Sequence, residues 1–410
     1  MRVLLSTIGS RGDVQPLVAL ASQLRALGQE VRLCVPPDFR AWLEGLGLPV
    51  VTIGPEVRGT GKAAPAGAPP TAEQRRAMVE ATVATQFETL TAAAQDCDLI
   101  VGATALQIAA PSVAEKLAVP YVFAAYCPAV LPSPRHAPPV LAMLGDAPAV
   151  DADDYSDLWE RDGRRWNEQW RGVLNDQRAR LDLVPVADVR SHVLTNRPWL
   201  AADPVLAPWP GTDDKTVLQT GAWVLPDTHP LPAEVEAFLD AGEPPVYFGF
   251  GSIRAPQGLA EAMVTAARAC GRRAIVSRGW ADLAPRDDAA DRLFIGEVDH
   301  QLLFTRVAAV VHHGGAGTTT TAARAGAPQV VIPQHYDQHY WARRVRELGI
   351  GAAHAPAAPS AESLTAALRL ALAADVAARA RSLAGEMRDD AALTAARLLL
   401  SGSPWKSPIR

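Results

Sequence analysis

The chain has 410 residues, 49% of them hydrophobic, and a formal net charge of −5 at pH 7 from 39 basic and 44 acidic residues. That length is too great for one ordinary core and fits two domains, and the acidic balance offers no basic surface to a nucleic acid. Since no apolar stretch approaches the roughly 20 residues that span a bilayer, we expect a cytoplasmic monomer without stable membrane insertion.

The cysteines are scattered through the chain without the C-x-x-C spacing of a metal site or a redox pair. The start of the chain also lacks the pattern of a signal peptide. Both features indicate that the cysteines are reduced and serve as packing residues of a cytoplasmic protein. The four residues are Cys34, Cys97, Cys127 and Cys270.

Short apolar runs and helical periodicity alternate along the chain. Residues 2–8 form the first expected strand, and loop 9–13 leads into a helix that stops at Gly28, a natural C-cap. This alternation predicts parallel sheets with helices on both faces. Strands are expected at 2–8, 31–35, 99–103, 121–125, 246–250, 274–277, 293–295, 307–311 and 329–333.

The alternation is interrupted at residues 204–227, which are rich in Pro and Gly, and restarts at strand 246–250. Such a composition suits a stiff linker without its own core. We therefore predict an α/β protein in which two Rossmann-like domains face each other across a cleft. The expected bounds are 1–205 for the first domain, 206–227 for the linker, 228–388 for the second domain and 389–410 for a C-terminal helix and tail.

The most informative stretch is residues 307–338, VAAVVHHGGAGTTTTAARAGAPQVVIPQHYDQ. An apolar strand leads into a glycine loop and a helix start, where free N–H groups and the helix dipole favour an anion such as a diphosphate. A tight turn without a ligand is the alternative interpretation. Strand alternation sends His312 and His313 to opposite faces, so one of them must point toward whatever the loop binds.

This stretch resembles the donor-binding signature of nucleotide-sugar-dependent glycosyltransferases with the GT-B fold. The whole chain resembles, more narrowly, the actinomycete enzymes that glycosylate vancomycin-group glycopeptide antibiotics. The resemblance implies an inverting glycosyltransferase that moves a sugar from a TDP- or UDP-sugar onto a hydroxyl of a large natural-product aglycone. The matching blocks begin at residues 1 (MRVLLSTIGSRGDVQPLVALA), 198 (PWLAADPVLAPW), 218 (LQTGAWVLPD), 244 (PPVYFGFGS), 277 (SRGWADL) and 312 (HHGGAGT).

Transfer of a sugar from a diphosphate requires a base for the acceptor hydroxyl, donors for the departing diphosphate and groups that hold the sugar. Asp13 is the predicted base, because the vancomycin-group enzymes resemble this chain in having Asp in that loop. A helix N-cap is the alternative role for an Asp at this place. An ordinary Asp titrates near ~3.9, so base catalysis would benefit from surroundings that raise its pKa.

The donor-binding roles come from the resemblance. His312 aligns with the family histidine that binds a phosphate, with His313 as the second choice, and Ser10 resembles a family serine that reaches the donor from the opposite domain. The residues expected to bind the diphosphate are Ser10, Ser252, His312, His313, Gly314, Gly315, Ala316, Gly317 and Thr318. Those expected to bind the sugar are Gln334, Asp337 and Gln338.

The nucleotide base should lie against Glu297 and Val298. Plant-type relatives have a stacking Trp at the place of Gly296, so either Trp280 supplies the stack here or the base is held without one. The choice between TDP and UDP stays open.

Two segments rich in proline and aromatic residues, 126–139 and 151–170, follow the strands of the first domain. Aromatic side chains suit bulky apolar ligands, so we expect these two segments to line the acceptor side. The predicted acceptor contacts are Arg11, Pro134 and His136. Alternatively, Trp159, Trp166 and Trp170 only pack a helix onto the domain.

No metal or cofactor is expected beside the co-substrate. The acidic clusters at 151–154, 213–214 and 287–288 follow no apolar strand, which is typical of solvated turns. The helix dipole and a histidine would stabilise the diphosphate instead of a metal ion.

Other functions remain open at this point. An enzyme that epimerises or hydrolyses nucleotide sugars would keep stretch 307–338 but would not need large acceptor loops. A non-catalytic auxiliary homologue would bind a partner transferase. The acceptor could also be a polyketide, a macrolactam or a sterol.

Overall fold

A computed structural model describes residues 1–58, 71–104, 106–142, 145–149, 152–211, 216–227, 229–251, 259–279, 289–355 and 359–402. Helices and strands alternate through both halves of the chain. Among the described helices, not one combines the length and the apolar character needed to cross a bilayer.

The first half is built on a seven-stranded sheet whose strand order is β3-β2-β1-β4-β5-β6-β7, and all pairs are parallel. Its strands are β1 (Arg2–Thr7), β2 (Glu30–Val35), β3 (Val50–Thr52), β4 (Leu99–Ala103), β5 (Tyr121–Ala125), β6 (Trp199–Leu200) and β7 (Leu218–Gln219). Its helices are α1 (Arg11–Ala26), α2 (Arg40–Gly45), α3 (Ala72–Ala94), α4 (Ala110–Leu117), α5 (Ser156–Arg180) and α6 (Val189–Leu194).

The second half is built on a six-stranded parallel sheet of order β10-β9-β8-β11-β12-β13. Its strands are β8 (Val246–Gly249), β9 (Ala274–Ser277), β10 (Arg292–Ile295), β11 (Ala309–His312), β12 (Gln329–Val331) and β13 (Gly351–Ala353). Its helices are α7 (Ala233–Asp240), α8 (Leu259–Ala269), α9 (His300–Phe304), α10 (Ala316–Arg324), α11 (Gln338–Glu347), α12 (Ala361–Ala371) and α13 (Ala374–Ala384), and α14 (Ala391–Ser401) follows them.

Strand β1 illustrates why these sheets are covered on both faces. Val3 and Leu5 belong to one apolar cluster, which includes Leu17 of α1, and Leu4 belongs to the cluster on the other face. A parallel strand that is buried on both sides reads as a continuous apolar run, as this one does. The predicted α/β fold with two Rossmann-like halves is thereby confirmed.

One part of the predicted linker differs from the expectation. Leu218–Gln219 pairs in parallel with Trp199–Leu200 as the outermost strand of the first sheet. Trp223 follows it and is only 3% exposed, with its ring against Tyr126 and Trp199. A proline-rich segment can do this because an edge strand tolerates residues that cannot donate to a ladder.

The last helix and the inner helices join the two halves. Helix α14 packs on α1, and its Ala395 and Leu399 are fully buried in the cluster that contains Leu17. On the other face of the first sheet, the cluster around Leu4 also includes Trp341 of α11. The two sheets are therefore held together by apolar packing as well as by chain connectivity.

Candidate active site

Two helix starts lie at the carboxyl ends of parallel strands, one in each half. Strand β1 leads into α1, and strand β11 leads through the glycine loop into α10. The halves touch beside these starts, since Arg11 Nη1 lies 3.3 Å from Glu297 Oε2 and Val140 forms an antiparallel bridge with Tyr336. The open ends of both sheets thus meet at one cleft, as expected for ligand sites in such folds.

Asp13 lies in the first turn of α1, three residues after the N-cap Ser10. Its Oδ2 accepts hydrogen bonds from the Ser10 N–H at 2.6 Å and from the Ser10 hydroxyl at 3.1 Å. Asp13 is therefore not the N-cap itself, but its carboxylate does complete the cap by binding the Ser10 amide. The two roles considered for Asp13 are compatible. Ser10, predicted to contact the diphosphate, holds Asp13 in this structure.

The surroundings of Asp13 change its acidity. Burial of the carboxyl raises its pKa to about 6, although hydrogen bonds from Ser10 oppose this shift. The residue as a whole remains partly exposed, so the group is desolvated while solvent still reaches part of it. An Asp with this pKa is largely ionised at neutral pH and is a stronger base than an ordinary carboxylate.

Asp337 lies at the start of α11, opposite Asp13. Burial raises its pKa to about 7, the hydrogen bond from Trp341 Nε1 at 2.9 Å lowers it, and the negative charge of Asp13 raises it further. The two carboxyls come from different halves of the chain and interact electrostatically. A substrate placed between them would contact both.

His312 has no free ring nitrogen. It is fully buried, its Nδ1 accepts the Gly314 N–H at 3.0 Å, and its Nε2 lies 2.9 Å from Gln329 Oε1. Burial lowers its pKa to about 4. This geometry corresponds to a neutral imidazole with its proton on Nε2 that fixes the glycine loop to β12.

His313 is the histidine that faces the loop. A methyl group on Gly251 or Gly315 would meet its ring at 3.2 Å or 2.6 Å, so both glycines leave the space that the ring occupies. Its Nδ1 is buried without a hydrogen-bond partner, and burial lowers its pKa to about 3, while the residue as a whole stays partly exposed. Because both ring nitrogens of His312 are bonded within the fold and the His313 ring is partly exposed, we now predict His313, and not His312, as the histidine that contacts the diphosphate.

The glycine loop has the geometry that close packing requires. Gly314 has φ +93°, and a Cβ there would lie 2.7 Å from Val331 Cγ1 and 3.1 Å from the Gln338 carbonyl oxygen. Helix α10 starts after Gly315, and its first internal bond runs from the Thr319 N–H to the Gly315 oxygen at 3.0 Å. The N–H groups of Ala316, Gly317 and Thr318 lie before that first bond and are not used by the helix itself. An anion site requires such N–H groups.

Two predicted sugar-binding residues help to fix the loop that carries Asp337. Gln338 is 4% exposed, and its Oε1 accepts the N–H groups of Gln334 at 2.8 Å and of His335 at 3.2 Å. The Gln334 side chain donates to the carbonyls of Ile332 and Pro333. Of the three predicted residues, Asp337 is the one whose pKa responds to the charge of Asp13 in the opposite half.

The segment predicted to hold the nucleotide base lies between β10 and α9. Glu297 is exposed and Val298 is partly buried there. Trp280 and Ser252, the other residues predicted for the nucleotide and the diphosphate, lie outside the described residues. Arg11, predicted to contact the acceptor, stacks on Trp42 at 3.9 Å and reaches Glu297 across the cleft.

The predicted acceptor contacts are divided by the structure. Pro134 is exposed. His136 is only 2% exposed and packs edge-on against the rings of Trp159, Trp209 and Tyr340, which makes it a packing residue of this structure. Burial lowers its pKa to about 4.

The aromatic side chains of α5 take part in packing. Trp159 and Trp170 are 5% and 8% exposed, and Trp166 packs against the same cluster as Trp170. The Trp159 Nε1 donates to the His136 carbonyl at 2.8 Å. The packing interpretation therefore holds for these tryptophans. Helix α5 has many charged residues, but its apolar face packs on α3 and α6.

Two tyrosines of the cleft were not predicted individually as site residues. The Tyr126 hydroxyl donates to the Asp13 carbonyl at 3.1 Å. Tyr336 bridges to Val140 and stands directly before Asp337. Position beside a strand end was the only indication available for either. In the ranges that the structure describes, no group of three or more His, Cys, Asp or Glu side chains is arranged to hold a metal ion.

Comparison with known proteins gives matches over both halves. The glycosyltransferase family 28 N-terminal domain matches residues 3–133, and the C-terminal domain of the erythromycin biosynthesis protein CIII-like family matches residues 293–396. Glycosyltransferase GtfE of Amycolatopsis orientalis is 51% identical over 410 residues, 100% of this chain and 99% of the relative. The vancomycin aglycone glucosyltransferase of the same organism is 50% identical, again over 100% of this chain and 99% of the relative. A solved glycotransferase of kitacinnamycin covers 98% of each chain with a TM-score of 0.71 at 20% identity, a likeness of fold.

Proposed function

Since this chain belongs to the glycopeptide-type glycosyltransferases of the GT-B fold, we propose that it moves a sugar from a TDP- or UDP-sugar onto a hydroxyl of a glycopeptide-like aglycone in antibiotic biosynthesis. Asp13 is the general base of this proposal. The acceptor class is taken from the relative that is named for the vancomycin aglycone, whose whole length this chain matches.

The observation that carries the proposal is the pair of carboxyls, Asp13 and Asp337, at the facing ends of the two halves. Asp13 has a pKa of about 6, and its negative charge contributes to raising the pKa of Asp337. Inverting transfer needs a base on the side of the anomeric carbon opposite the diphosphate, together with groups that hold the sugar. Asp13 of the first half is proposed as the base and Asp337 of the second half as a group that holds the sugar.

The donor is proposed to bind the second half. Its diphosphate accepts hydrogen bonds from the N–H groups at the start of α10 and from the His313 ring. The nucleotide base of the donor lies along Glu297 and Val298. Asp337 holds a sugar hydroxyl. Ser252 and Trp280 remain predicted contacts. The helix start and His313 stabilise the negative charge on the leaving diphosphate, so no metal or further cofactor is needed in this proposal.

The reaction is a direct displacement. Asp13 removes the proton of the acceptor hydroxyl as its oxygen forms a bond to the anomeric carbon of the sugar. The bond from that carbon to the diphosphate oxygen breaks, and its electron pair leaves with the diphosphate. Attack opposite the leaving group inverts the configuration of the anomeric carbon.

The test is an assay with defined substrates. TDP-glucose and UDP-glucose are each incubated with vancomycin aglycone, with a macrolide aglycone and with a sterol, in the presence of EDTA, and products are identified by mass. We expect glucosylation of the glycopeptide aglycone with one nucleotide preferred. Free glucose without any glycoside would favour a hydrolase, and no reaction or binding with either nucleotide would favour an auxiliary protein.

A substitution separates the base from the helix cap. Asp13→Asn keeps an oxygen for the Ser10 N–H and should lower turnover about 10²–10⁴-fold with donor affinity nearly unchanged. Asp188→Asn is the matched control, because Asp188 caps α6 by accepting the Ser191 N–H at 3.2 Å. Loss of folding stability together with donor binding in Asp13→Asn would make Asp13 a cap and leave the base elsewhere.

We also propose that the enzyme acts as a monomer in the cytoplasm. The proposal rests on the location of Asp13, His313 and Asp337 within one chain. Sedimentation of the purified protein tests the oligomeric state, and fractionation of producing cells tests the compartment.

A further inference from the structure

The loop that leaves β5 contacts both sides of the cleft. The first residue of this bridging loop, residues 126–142, donates a hydroxyl hydrogen bond to the Asp13 carbonyl at 3.1 Å. Near the other end of the loop, Val140 forms an antiparallel bridge with Tyr336, the residue before Asp337. One loop of the first half therefore touches the backbone beside both carboxyls to which the proposed reaction assigns a role.

The bridge is where the bridging loop meets the second half. The Tyr336 N–H donates to the Val140 carbonyl at 2.6 Å, and the Tyr336 carbonyl accepts the Val140 N–H at 3.2 Å. The pair lies outside the strands of both sheets. Tyr336 has φ +58°, a left-handed conformation that a bulky residue rarely adopts unless its surroundings fix it. Displacement of Val140 would therefore release the backbone that leads into Asp337.

The start of α5 holds the middle of the bridging loop. The Tyr155 N–H donates to the Pro134 carbonyl at 3.0 Å. The Trp159 Nε1 donates to the His136 carbonyl at 2.8 Å. Both contacts are to the backbone of the loop, so they fix its path on the side that precedes the bridge.

On the far side of the bridge, a chain of alternating charges attaches the loop to α5. Asp146 Oδ2 accepts the Leu141 N–H at 3.2 Å and lies 2.9 Å from Arg165 Nη1. Asp162 Oδ1 lies 3.1 Å from Arg165 Nη2, and Asp162 Oδ2 lies 3.1 Å from Arg190 Nη1. The Asp162 and Arg165 side chains are 8% and 28% exposed, so water screens these pairs less than it screens a surface ion pair.

We propose that Arg165 is a positioning residue for the donor site. Through Asp146 it holds the segment of the bridging loop that carries Val140, and that segment in turn fixes the start of α11. The inference rests on the proposed function, in which the start of α11 holds the sugar while the glycine loop and α10 bind the diphosphate. Release of the loop should therefore weaken binding of the sugar and leave binding of the diphosphate intact.

The experiment compares a nucleoside diphosphate with the corresponding nucleotide-glucose, without an acceptor. Dissociation constants of TDP and TDP-glucose, or of UDP and UDP-glucose if wild type prefers UDP, are determined by calorimetry. Their ratio isolates the contribution of the sugar. The chains compared are wild type, Arg165→Met, Arg165→Lys, Val140→Pro and the double variant Arg165→Met/Val140→Pro.

The variants differ in which link they remove. Arg165→Met removes the cation beside Asp146, and Val140→Pro removes the N–H that donates to Tyr336. Arg164→Met is the matched control, because Arg164 precedes Arg165 in α5 and forms only an exposed pair with Glu160, at 3.6 Å and with side chains 62% and 71% exposed.

We expect Arg165→Met to weaken nucleotide-glucose binding about 3–30-fold and to change nucleoside diphosphate binding by less than about 2-fold. Arg165→Lys keeps a cation and should restore most of the loss, and Arg164→Met should match wild type. Val140→Pro should show the same selective loss. Because both changes act through one bridge, the double variant should bind nucleotide-glucose no more weakly than Val140→Pro alone.

Three outcomes would overturn the inference while the proposed function stands. The first is a ratio of dissociation constants in Arg165→Met equal to that of wild type. The second is equal weakening of both ligands, which would make the ion pair a support of the fold in general. The third is an additive loss in the double variant, which would place Arg165 outside the route through the bridge. If wild type binds no nucleotide, the proposed function is overturned, and the inference with it.

Discussion

His312 and His313 are adjacent in the sequence but have different partners in the fold. The first is enclosed by Gln329 and Gly314, to which both of its nitrogens are bonded, and the second lies between two glycines with Nδ1 unpaired. Since neither ring carries a positive charge near neutral pH, each acts through hydrogen bonding alone. One holds the loop and the other is available to bind.

Alanine substitutions should separate these two roles. His313→Ala is expected to weaken TDP or UDP binding about 10–100-fold with little change in the free energy of unfolding, because it removes a donor to the phosphate. His312→Ala is expected to lower the free energy of unfolding by about 2–4 kcal/mol through a buried cavity and an unpaired Gln329. Calorimetric titration and urea denaturation measure the two effects. A stable His312→Ala that binds no nucleotide would restore the ranking by sequence.

Asp13 and Asp337 should give the enzyme a measurable pH profile. A base must be deprotonated, so kcat/KM should rise with pH through about 6, the pKa of Asp13. Because the carboxyls interact, the observed value belongs to the pair. Asp337 has a pKa of about 7 and is mostly neutral where Asp13 titrates, so Asp337→Asn should leave the rising limb near pH 6, whereas Asp13→Asn should abolish the limb. A rising limb that persists in Asp13→Asn would show that another group titrates.

The same pKa values predict how stability changes with pH. A carboxyl whose pKa is higher in the folded chain than in the unfolded chain favours folding in its protonated form, so its contribution is lost as pH rises toward about 6. Asp13→Asn should therefore gain stability relative to wild type between about pH 4 and pH 6, by about 1–3 kcal/mol. Urea denaturation across this range measures the difference, and a constant difference would contradict the assigned burial.

At the scale of elements, the glycine loop is fixed by its close packing against β12 and the start of α11. Gly314→Ala places a methyl group 2.7 Å from Val331 Cγ1 in a backbone with φ +93° and should cost about 1–3 kcal/mol of folding free energy. Gly317→Ala is the control, because a Cβ there meets no atom within 4 Å and Ala favours the helix by about 0.5–1 kcal/mol. Urea denaturation compares the two, and equal stability would contradict the close packing of the loop.

At the scale of the molecule, α14 completes the core of the first half although it ends the chain. Leu399 is fully buried in the cluster that contains Leu17 of α1. Leu399→Ala should lower the free energy of unfolding by about 2–5 kcal/mol. Leu370→Ala is the control, since Leu370 is 64% exposed and its loss should change stability by less than about 0.5 kcal/mol. If Leu399→Ala and Leu370→Ala had equal urea midpoints of unfolding, α14 would not be part of the unit that unfolds cooperatively.

The sequence alone determined the architecture and the family. Apolar runs placed the strands within a residue or two, as for 99–103 and 121–125, which match β4 and β5. The glycine loop and the helix after it were also predicted correctly, because backbone conformation there depends on neighbouring residues. The short β3, β6, β7 and β13 were missed, since strands of two or three residues are defined by their pairing partners and have no periodicity of their own.

Only the tertiary structure decided the environments of the side chains. The free histidine, the coupled carboxyls, the enclosure of His136 and the bridge of Tyr336 all depend on residues far apart in the chain, as Arg11 and Glu297 are, 286 positions apart. Hydrogen-bond partners and desolvation are set by what packs nearby, and a linear pattern records neither. A sequence can therefore name the groups of this cleft, whereas their availability and acidity follow from the packing of two sheets against each other.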